Sequence, residues 1–526
     1  MNINLSWAFF FCLFILTEGY SQAGKRRLPS SVNHPALNNL APYMSLDGNA
    51  LVFLSDNAED YVLNPFFSSR TARSDWKQPE ALPKTIHTSL SYVWGYTLSP
   101  DGRFLYFSTI KSPGVGGYDL WMSERKGSGW SSPVNFGAPI NSRAHEASAT
   151  ITPDQKTLYF MRCENMDQKT ASGCIIMKAE KRPNGQWGEP VALPQVINTG
   201  NSQSPRILAD TETLIFSSDK FAGGQGGMDL YLSRFKDGAW TSPVALDFAN
   251  TSGDDQFVSI NAVGRYLIRD AQGQRKREMV EYLIPEAFRP KGLMRVEGAI
   301  AGRGTSSFIS VLDLKSGKRI YSGRPDPNGS FKVYLMEGSA YEVSVDPEQD
   351  DMTFFSQRFD LTGDTIEQVV RIAPRIKPIE PGDEIVLDLV GFKEYSDELL
   401  PEGVNELKRV ARLIKGNRDK SFTIEVSMTG YLEDSIRSSP DMTGVYYDSV
   451  WTVVDDIDTL GQLFQRDTCL VKLRYHNDRT TEQARSVVAY LVSQGIPEDR
   501  LTDFARYSPA LPGEEKKIWV KVRADP

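Results

Sequence analysis

Short alternating runs of hydrophobic and small residues, rich in aromatic side chains, fill most of the first 290 residues, and turn residues bound each run. Leu105-Tyr106-Phe107-Ser108 and Leu158-Tyr159-Phe160 are examples. A period of two is typical of strands that bury one face, whereas a helix needs apolar positions three or four residues apart. The pattern therefore predicts many short β-strands and few helices in this part of the chain.

Two phrases recur along these strands at a nearly fixed interval. A Trp-x-x-Pro phrase returns after 54, 57 and 53 residues, and an Asp followed by a turn residue precedes each copy. The repeated tryptophans are Trp76, Trp130, Trp187 and Trp240. A period near fifty that carries strands and turns is typical of a propeller blade. We expect the Trp to wedge between neighbouring blades and the Pro to end a strand.

The repeat predicts a β-propeller over residues 35–290. Five blades are favoured and six are the alternative, because a fifth copy around residues 257–268 keeps strand character but lacks the Trp-x-x-Pro phrase. A terminal blade often takes a strand from the start of the chain, and residues near 41–52 are expected to supply it.

A Gly-Gly pair precedes an aspartate in two of the repeats. The aspartates are Asp119 and Asp229, two repeats apart. Glycines permit a sharp backbone approach, and an aspartate can accept hydrogen bonds from the amides of its own loop. A structural role is favoured for both residues, and a ligand or metal site is the alternative.

The sequence pattern changes over residues 294–373 to short strands separated by Asp- and Gly-rich turns. This pattern predicts a β-sandwich. An acidic cluster in it could bind Ca²⁺, but a solvated loop is favoured. The cluster comprises Asp346, Glu348, Asp350 and Asp351. Three prolines then indicate a hinge over residues 374–382.

Residues 383–526 alternate strands with apolar patterns at helical spacing, which predicts an α+β domain. The expected fold class is thus multidomain and mainly β. A propeller comes first, followed by a sandwich and then the α+β domain.

Residues 1–23 are typical of a signal peptide, because their apolar core is too short to span a bilayer. No later segment is long and apolar enough to cross a membrane, so no transmembrane span is expected in the mature chain.

Export would expose the cysteines to an oxidising compartment. Cys163 and Cys174 could then form a disulfide if they lie opposite each other on adjacent strands, and two buried thiols are the alternative. Cys469 is expected to be packed.

Composition narrows the classes of function. The chain has 40% hydrophobic and 24% charged residues, and its net charge of −8 argues against nucleic acid as a partner. It has no G-x-S-x-G phrase, no H-E-x-x-H phrase and four histidines in all. We therefore expect a protein that is not an enzyme, with no catalytic residue, no cofactor and no metal.

Each predicted domain resembles a known family. The "GG-x-DLW" wording and the phrase matched at residues 133–141 resemble TolB-like, WD-repeat-like propellers. The order V-x-G, D-P-N-G-x-F and G-x-x-Y resembles the carboxypeptidase regulatory-like, transthyretin-like module, which carries no catalytic zinc residues. Residues 483–487 and 495–501 resemble the C-terminal domain of the OmpA family, from which this chain has diverged.

The OmpA-like resemblance implies a peptidoglycan site. Domains of that family hold diaminopimelate with one Asp and one Arg, which suits the two charges of an amino acid. Arg485 falls on the family's helical Arg. The family's G-H-T-D phrase is missing and a long insertion follows, so its Asp does not transfer, and Asp434 and Asp478 are the candidates for the carboxylate.

Together the domains resemble envelope proteins of Bacteroidetes, some of which accompany the type IX secretion and gliding machinery. The resemblance implies a periplasmic scaffold associated with the outer membrane or the cell wall. Its propeller would dock envelope proteins, and its C-terminal domain would contact peptidoglycan. The alternative is a propeller that binds a carbohydrate or a peptide, or a module that serves a hydrolase, without binding the wall.

Overall fold

The structure is a computed structural model that describes most of the chain. The described residues are 24–56, 63–71, 75–86, 95–167, 169–273, 276–302, 306–363, 369–394, 396–431, 445–475, 478–509 and 517–525. The signal-peptide prediction and the candidate Asp434 lie outside them. The chain forms two compact units, Met1–Leu293 and Met294–Pro526. No helix in the described ranges combines the length and the apolar composition that a membrane crossing requires.

The first unit is built almost entirely of antiparallel sheets. Its one described helical turn is a 3₁₀ turn at Glu286–Phe288. In chain order its strands are β1 (Lys25–Arg27), β2 (Asn39–Met44), β3 (Ala50–Asp56), β4 (Leu63–Ser69), β5 (Glu80–Ala81), β6 (Thr97–Leu98), β7 (Phe104–Thr109), β8 (Asp119–Lys126), β9 (Gly129–Trp130), β10 (Val134–Asn135), β11 (His145–Ile151), β12 (Thr157–Cys163), β13 (Asn165–Met166), β14 (Ala171–Ser172), β15 (Ile175–Glu180), β16 (Val191–Ala192), β17 (Gln203–Ile207), β18 (Thr213–Ser218), β19 (Asp229–Lys236), β20 (Ala239–Trp240), β21 (Val244–Ala245), β22 (Ser259–Ile260), β23 (Tyr266–Gln272) and β24 (Arg277–Leu283).

Five sheets of four or five strands follow one another along this unit. The first four sheets take β2–β5, then β6–β10, then β11, β12, β15 and β16, then β17–β21. β13 and β14 form a separate small hairpin. The middle strands β3 and β18 are buried along their whole length, because neighbouring sheets cover both of their faces. This burial explains why the alternation in the sequence is between large and small residues more than between apolar and charged ones.

The fifth sheet takes one strand from the start of the chain. Its order is β22-β23-β24-β1, and β1 pairs antiparallel with β24, so that Arg26 lies opposite Glu281. The expectation that residues 41–52 supply this strand is wrong, because those residues form parts of β2 and β3 in the first sheet. β1 consists of three cations, and such a sequence carries no alternation by which a strand could be recognised.

One residue at the first strand of each sheet adopts a left-handed backbone. These residues lie within or just before β2, β6, β11, β17 and β22, and they are Ala41 (φ 46°), Gly95 (φ 89°), Ser148 (φ 51°), Ser204 (φ 49°) and Phe257 (φ 52°). Non-glycine residues rarely take this conformation. The strand register shifts at this place in the first, third and fourth sheets. The five sheets therefore repeat a backbone conformation as well as a sequence pattern.

Hydrophobic clusters fill the spaces between successive sheets. Trp130 of the second sheet packs edge-on against Phe67 of the first, with 5.4 Å between ring centroids. Trp187 lies 6.5 Å from Phe136, at the end of the second sheet. Trp240 joins a cluster that includes Tyr159 of the third sheet. Each of these tryptophans thus belongs to a cluster that includes residues of the preceding sheet.

The first and fifth sheets also share a cluster. Trp76, at the outer edge of the first sheet, is buried beside Ile268 and Met279 of the fifth. A further cluster, which includes Leu230 and Leu267, lies between the fourth and fifth sheets and contains no Trp. Five inter-sheet clusters therefore connect the five sheets, and one of them joins the last sheet to the first.

In the described residues the second unit begins with nine strands, seven of which contribute to one hydrophobic core. Two of its sheets have the orders β29-β25-β32 and β28-β27-β30-β31, and β26 pairs with β33 in a third. The strands are β25 (Leu293–Ala299), β26 (Ala301–Gly302), β27 (Ser307–Asp313), β28 (Lys318–Gly323), β29 (Ser330–Met336), β30 (Ala340–Pro347), β31 (Phe355–Asp360), β32 (Val369–Ile372) and β33 (Arg375–Ile376).

Residues 374–382 are packed against the strands before them. β33 pairs in parallel with β26, Pro378 forms a bridge to Met352, and Ile376 and Ile379 are buried. The proline spacing predicts a hinge here, but a proline removes only its own N–H group. The residues between the prolines are still free to pair, and they do so.

The rest of this unit contains a four-stranded sheet covered by two helices, and a separate two-stranded ribbon. The sheet order is β34-β39-β35-β38, in which β35 and β38 run parallel. The apolar faces of α1 (Val404–Gly416) and α2 (Thr480–Ser493) contribute to one core with the sheet. The 3₁₀ turns are Pro401–Gly403 and Glu498–Arg500. The strands are β34 (Glu384–Leu387), β35 (Phe422–Tyr431), β36 (Val445–Ile457), β37 (Leu463–Tyr475), β38 (Leu501–Pro509) and β39 (Lys517–Ala524).

Candidate functional site

The exposed arginine of helix α2 lies beside a carboxylate that the sequence did not indicate. Arg485 is 68% exposed, and its Nε lies 3.5 Å from Oδ2 of Asp503, which is 42% exposed. Asp503 lies on β38, and α2 packs over this strand and β35. The structure therefore brings together a cation and an anion on the surface of the C-terminal domain.

The candidate carboxylate Asp478 has a different role. Its Oδ1 accepts hydrogen bonds from the backbone N–H of Thr480 at 2.9 Å and from the Thr480 hydroxyl at 2.8 Å. Thr480 is the first residue of α2, so the carboxylate satisfies an N–H group that the helix leaves without a partner. Asp478 thus caps the helix on which Arg485 lies.

Asp503 could have been found from the phrase that carries the OmpA-like resemblance. It lies two residues after the segment that ends in Arg500-Leu501. Its proximity to Arg485, however, depends on how the helix crosses the strand. Sequence spacing alone gives no measure of that crossing.

The Arg485–Asp503 pair keeps hydrogen-bonding capacity for a ligand. A guanidinium has five N–H donors and a carboxylate has two acceptor oxygens, so one contact between them leaves positions free on both. Water screens exposed pairs of this kind, and they contribute little to folding. The arrangement can accept the carboxylate of an amino acid at Arg485 and its ammonium group at Asp503.

A pocket of about 270 Å³ opens in the first unit next to two of the left-handed residues, Ala41 and Phe257. Its lining combines apolar side chains with charges of both signs. The apolar lining includes Leu40, Leu54, Leu63 and Phe257, and the charged lining comprises Lys169, Asp254, Arg269, Asp270 and Arg277.

Both carboxylates of this pocket are engaged in structural hydrogen bonds. Asp270 accepts the N–H of Ala41 at 3.0 Å and the Nε–H of Arg277 at 2.6 Å. Asp254 accepts the N–H of Met228 at 3.0 Å. Glycoside hydrolysis needs two carboxyl groups that can act as acid and as base or nucleophile. Carboxylates committed to the backbone and to an arginine are poorly suited to those roles.

Arg206 connects three sheets close to the same left-handed residues. Its Nε donates to the carbonyl oxygen of Val258 at 3.1 Å, its Nη1 donates to that of Pro205 at 2.8 Å, and its guanidinium lies 5.2 Å from the centroid of the Tyr43 ring. Burial lowers the pKa of Arg206 to about 10, so the group remains a cation at neutral pH. The contacts join the fourth sheet to the fifth and to the first.

Asp119 and Asp229 bond their own glycine-containing loops. Asp119 accepts the N–H groups of Val115 at 2.6 Å and Gly116 at 3.2 Å, and Asp229 accepts those of Gln225 and Gly226, both at 3.0 Å. A Cβ atom on Gly116 would overlap a carbonyl oxygen of the next connection. Within the described ranges, no group of three His, Cys, Asp or Glu side chains is arranged to hold a metal ion.

The cysteines differ in their surroundings. Cys163 and Cys174 form a disulfide between the end of β12 and the residue before β15. The apolar sequence around Cys469 predicts a packed thiol, but this thiol is free and partly exposed. The difference arises because, among the described strands, β37 pairs with β36 alone, in a two-stranded ribbon.

Comparisons with known proteins give only distant similarities. No protein-family model and no curated protein matches the chain. TolB from Acinetobacter baumannii is 13% identical with a TM-score of 0.29, over 47% of this chain and 54% of TolB, so the chain spans about half of TolB's length. An alpha-L-arabinofuranosidase from Lactobacillus brevis is 14% identical with a TM-score of 0.32, over 50% of this chain and 96% of the enzyme.

A third similar structure is an oligogalacturonate lyase from Vibrio parahaemolyticus. It is 10% identical with a TM-score of 0.29, over 50% of this chain and 94% of the lyase. The similar structures thus include both a TolB and enzymes that act on carbohydrates. At these TM-scores they assign no family and do not distinguish a scaffold from an enzyme.

Proposed function

We propose that the protein is a non-enzymatic scaffold in the periplasm of a Bacteroidetes-type envelope. Its N-terminal unit is a closed five-bladed propeller that docks an envelope protein, with the type IX secretion and gliding machinery as the candidate partner. Its C-terminal domain contacts peptidoglycan and thereby holds the complex near the wall.

The sheet connections support the closed propeller. Five sheets of four or five strands follow in sequence, a hydrophobic cluster joins each to the next, and a fifth cluster joins the last to the first. β1 adds the outer strand of the last sheet. In propellers, a sheet built from strands of both ends of the chain closes the ring, and this closure leaves no open edge between the first and last blades.

The exposed Arg485–Asp503 pair is the observation that carries the wall-binding proposal. Diaminopimelate in a peptidoglycan stem presents a free carboxylate and a free ammonium on the same carbon. A cation and an anion 3.5 Å apart, both accessible to solvent, match these two charges. In this proposal Asp503 supplies the carboxylate for which Asp434 and Asp478 were the candidates from the sequence.

The first unit offers a docking place for a partner at its amphipathic pocket. Apolar walls with charges of both signs suit a peptide segment better than a neutral sugar, because a peptide supplies both apolar and charged groups. The same pocket favours a second candidate function, in which the propeller binds a free peptide and the wall is not involved.

Loss of Arg485 is expected to reduce peptidoglycan binding about tenfold or more, because a charge-assisted hydrogen bond contributes about 1.5–3 kcal/mol. The measurement is cosedimentation of the full chain with isolated peptidoglycan, for the wild type, Arg485→Ala and Asp503→Asn. Free diaminopimelate should compete with the sacculus for the wild-type protein.

Arg466→Ala is the matched control for that experiment. Arg466 is another exposed arginine of the same unit that pairs with an exposed aspartate, Asp456, at 2.7 Å. Its variant should pellet like the wild type. A wild-type chain that stays in the supernatant, or an Arg485→Ala chain that pellets unchanged, would refute wall binding at this site.

The pocket can be tested by removing one of its charges. Lys169→Ala should weaken pull-down of the envelope partner several-fold, because Lys169 supplies one of the cations of the lining. Lys156→Ala is the control, since Lys156 is an exposed lysine in the turn between β11 and β12 of the third sheet and is not part of that lining. Equal pull-down by both variants would contradict docking at the pocket.

A further inference from the structure

The ribbon formed by β36 and β37 exposes one apolar face along its full length. Each strand has 13 residues, and the two pair in register from Val445↔Tyr475 to Ile457↔Leu463. No third strand joins this sheet in the part of the chain that the structure describes. Fourteen residues of the two strands alternate onto the same side, and seven of them are large, apolar and exposed. They are Tyr447, Trp451, Val453, Ile457, Leu463, Val471 and Leu473, and together they define the apolar face.

The opposite face of the ribbon has a different composition. Three basic residues of the ribbon, Arg466, Lys472 and Arg474, alternate onto that side. On β36 the residues of the opposite face from Val450 to Asp456 are partly buried, whereas those of the apolar face are exposed. An isolated two-stranded ribbon is marginally stable in water. A strip of seven large exposed side chains on one side of such a ribbon needs a covering layer.

We propose that a second copy of this chain covers the apolar face, so that two ribbons pack face to face with their strands in opposite directions. The apolar face of each copy then packs against the same face of the other copy, as a two-fold interface requires. The middle residues of the two 13-residue strands are Trp451 and Cys469, and they are directly paired. A two-fold axis through the middle of the face therefore places the Cys469 residues of the two copies closest to each other.

The charges on the apolar face favour the reversed orientation of the two ribbons, and they favour a second copy of the chain over an anionic lipid surface. The charged side chains that alternate onto the apolar face at neutral pH are Asp455 and Asp467, both in the half nearer the turn at residues 458–462. Ribbons that ran in the same direction would bring the four carboxylates of two copies together, whereas reversed ribbons place them at opposite ends. Two aspartates and no basic residue on this face also disfavour an anionic lipid surface.

The size of the face predicts a dissociable dimer. Strands of 13 residues extend for about 44 Å, and two strands are about 10 Å wide, which gives a flat area of about 440 Å². A standard interface buries about 800 Å² on each partner. We therefore expect a dissociation constant in the micromolar range.

Sedimentation velocity of the full chain over a wide range of concentration tests the proposal. The wild type should convert from monomer to dimer. Val471→Ser should raise the dissociation constant about tenfold or more, because each dimer loses two buried valines. Leu470→Ser is the matched control: Leu470 is the next residue, is 42% exposed where Val471 is 62% exposed, and belongs to the opposite face. Its dissociation constant should equal that of the wild type.

A thiol crosslinker tests the same geometry without changing the face. A short bismaleimide forms one thioether with the Cys469 thiol of each copy, and each thiol proton moves to the maleimide carbon next to the new bond. The wild type should give a covalent dimer, Cys469→Ser should give none, and the double variant Cys469→Ser/Leu470→Cys should give little, because its thiol lies on the opposite face.

Three outcomes would overturn the proposal. The wild type could remain monomeric at every concentration and fail to crosslink. A dimer could form that Val471→Ser leaves unchanged, which would place the interface elsewhere. A monomer could instead float with phosphatidylglycerol vesicles unless Val471 is replaced, which would assign the face to lipid.

Discussion

Replacing Arg269 by methionine is expected to lower the free energy of unfolding of the N-terminal unit by about 3–5 kcal/mol. Arg269 is 2% exposed and forms an ion pair with Asp255, which is fully buried. Its other N–H groups donate to the carbonyl oxygens of Ala249 and Asp270. Methionine fills a similar volume but leaves the Asp255 carboxylate without its counter-ion, and an uncompensated buried charge is the main source of the loss.

Urea denaturation followed by tryptophan fluorescence measures this loss. Arg103→Met is the control, because Arg103 forms its ion pair with Glu124 at an exposed site and its removal should leave the denaturation midpoint unchanged. A double variant, Arg269→Met/Asp255→Asn, should regain part of the stability, since the buried charge is then gone. A double variant as unstable as Arg269→Met would contradict the explanation by an uncompensated charge.

Replacing Glu406 by glutamine is expected to stabilise the C-terminal unit at pH 8 by about 3 kcal/mol and to leave it unchanged at pH 4. Glu406 lies on α1 and is fully buried; its Oε2 accepts the N–H of Leu389 at 2.9 Å, and its Oε1 has no hydrogen-bond partner. Burial raises the pKa of Glu406 from its ordinary value of 4.5 to about 7. The nearby charges of Glu342 and Asp388 raise this pKa further, and that of Arg409 lowers it.

The sign of the pH dependence follows from this raised pKa. Below pH 4.5 the carboxyl is protonated in both the folded and the unfolded chain and contributes no difference. As the pH rises toward 7 the unfolded chain releases this proton first, so the stability of the folded unit falls. Above pH 7 the loss is complete. Glutamine cannot ionise, so the variant avoids it.

Thermal unfolding of the wild type and Glu406→Gln at pH 4, 6 and 8 measures the effect. Glu402→Gln, at an exposed site just before α1, is the matched control and should follow the wild type at every pH. A Glu406→Gln chain that is less stable than the wild type at pH 8 would show that the carboxylate is stabilising as an anion, contrary to the prediction.

The sequence predicted the strands of the N-terminal unit better than the pairing of its first and last strands. Alternating runs such as Leu105–Ser108 carry their own periodic signal, and the repeated Trp-x-x-Pro phrase gives their spacing. β1 has no such signal, because three consecutive cations form a strand only through the edge that β24 offers. The left-handed residues Ala41 and Ser148 were also hidden, since neither is a glycine.

The candidate site was predictable in its local part and not in its tertiary part. Arg485 was found because a contiguous phrase around it resembles a family. Asp503 was missed because its relation to Arg485 is a helix-to-strand contact across a loop. Nothing in the sequence shows that the Asp478 carboxylate is occupied. In the structure it accepts a hydrogen bond from the backbone N–H of Thr480, the first residue of α2. Residue type indicates what a side chain can bind, while only the fold shows what it is already bound to.

The pairing of β1 with β24 sets the order in which the N-terminal unit can assemble. The hydrogen-bonded partners Arg26 and Glu281 are 255 residues apart in the chain. The chain emerges N-terminus first, so the second partner becomes available only after the whole segment between the two has emerged. During that interval the earliest strand has no partner, and the last sheet is incomplete. The strand that is synthesised first is therefore the last to be placed, and the unit reaches its final form only when its fifth sheet has been made.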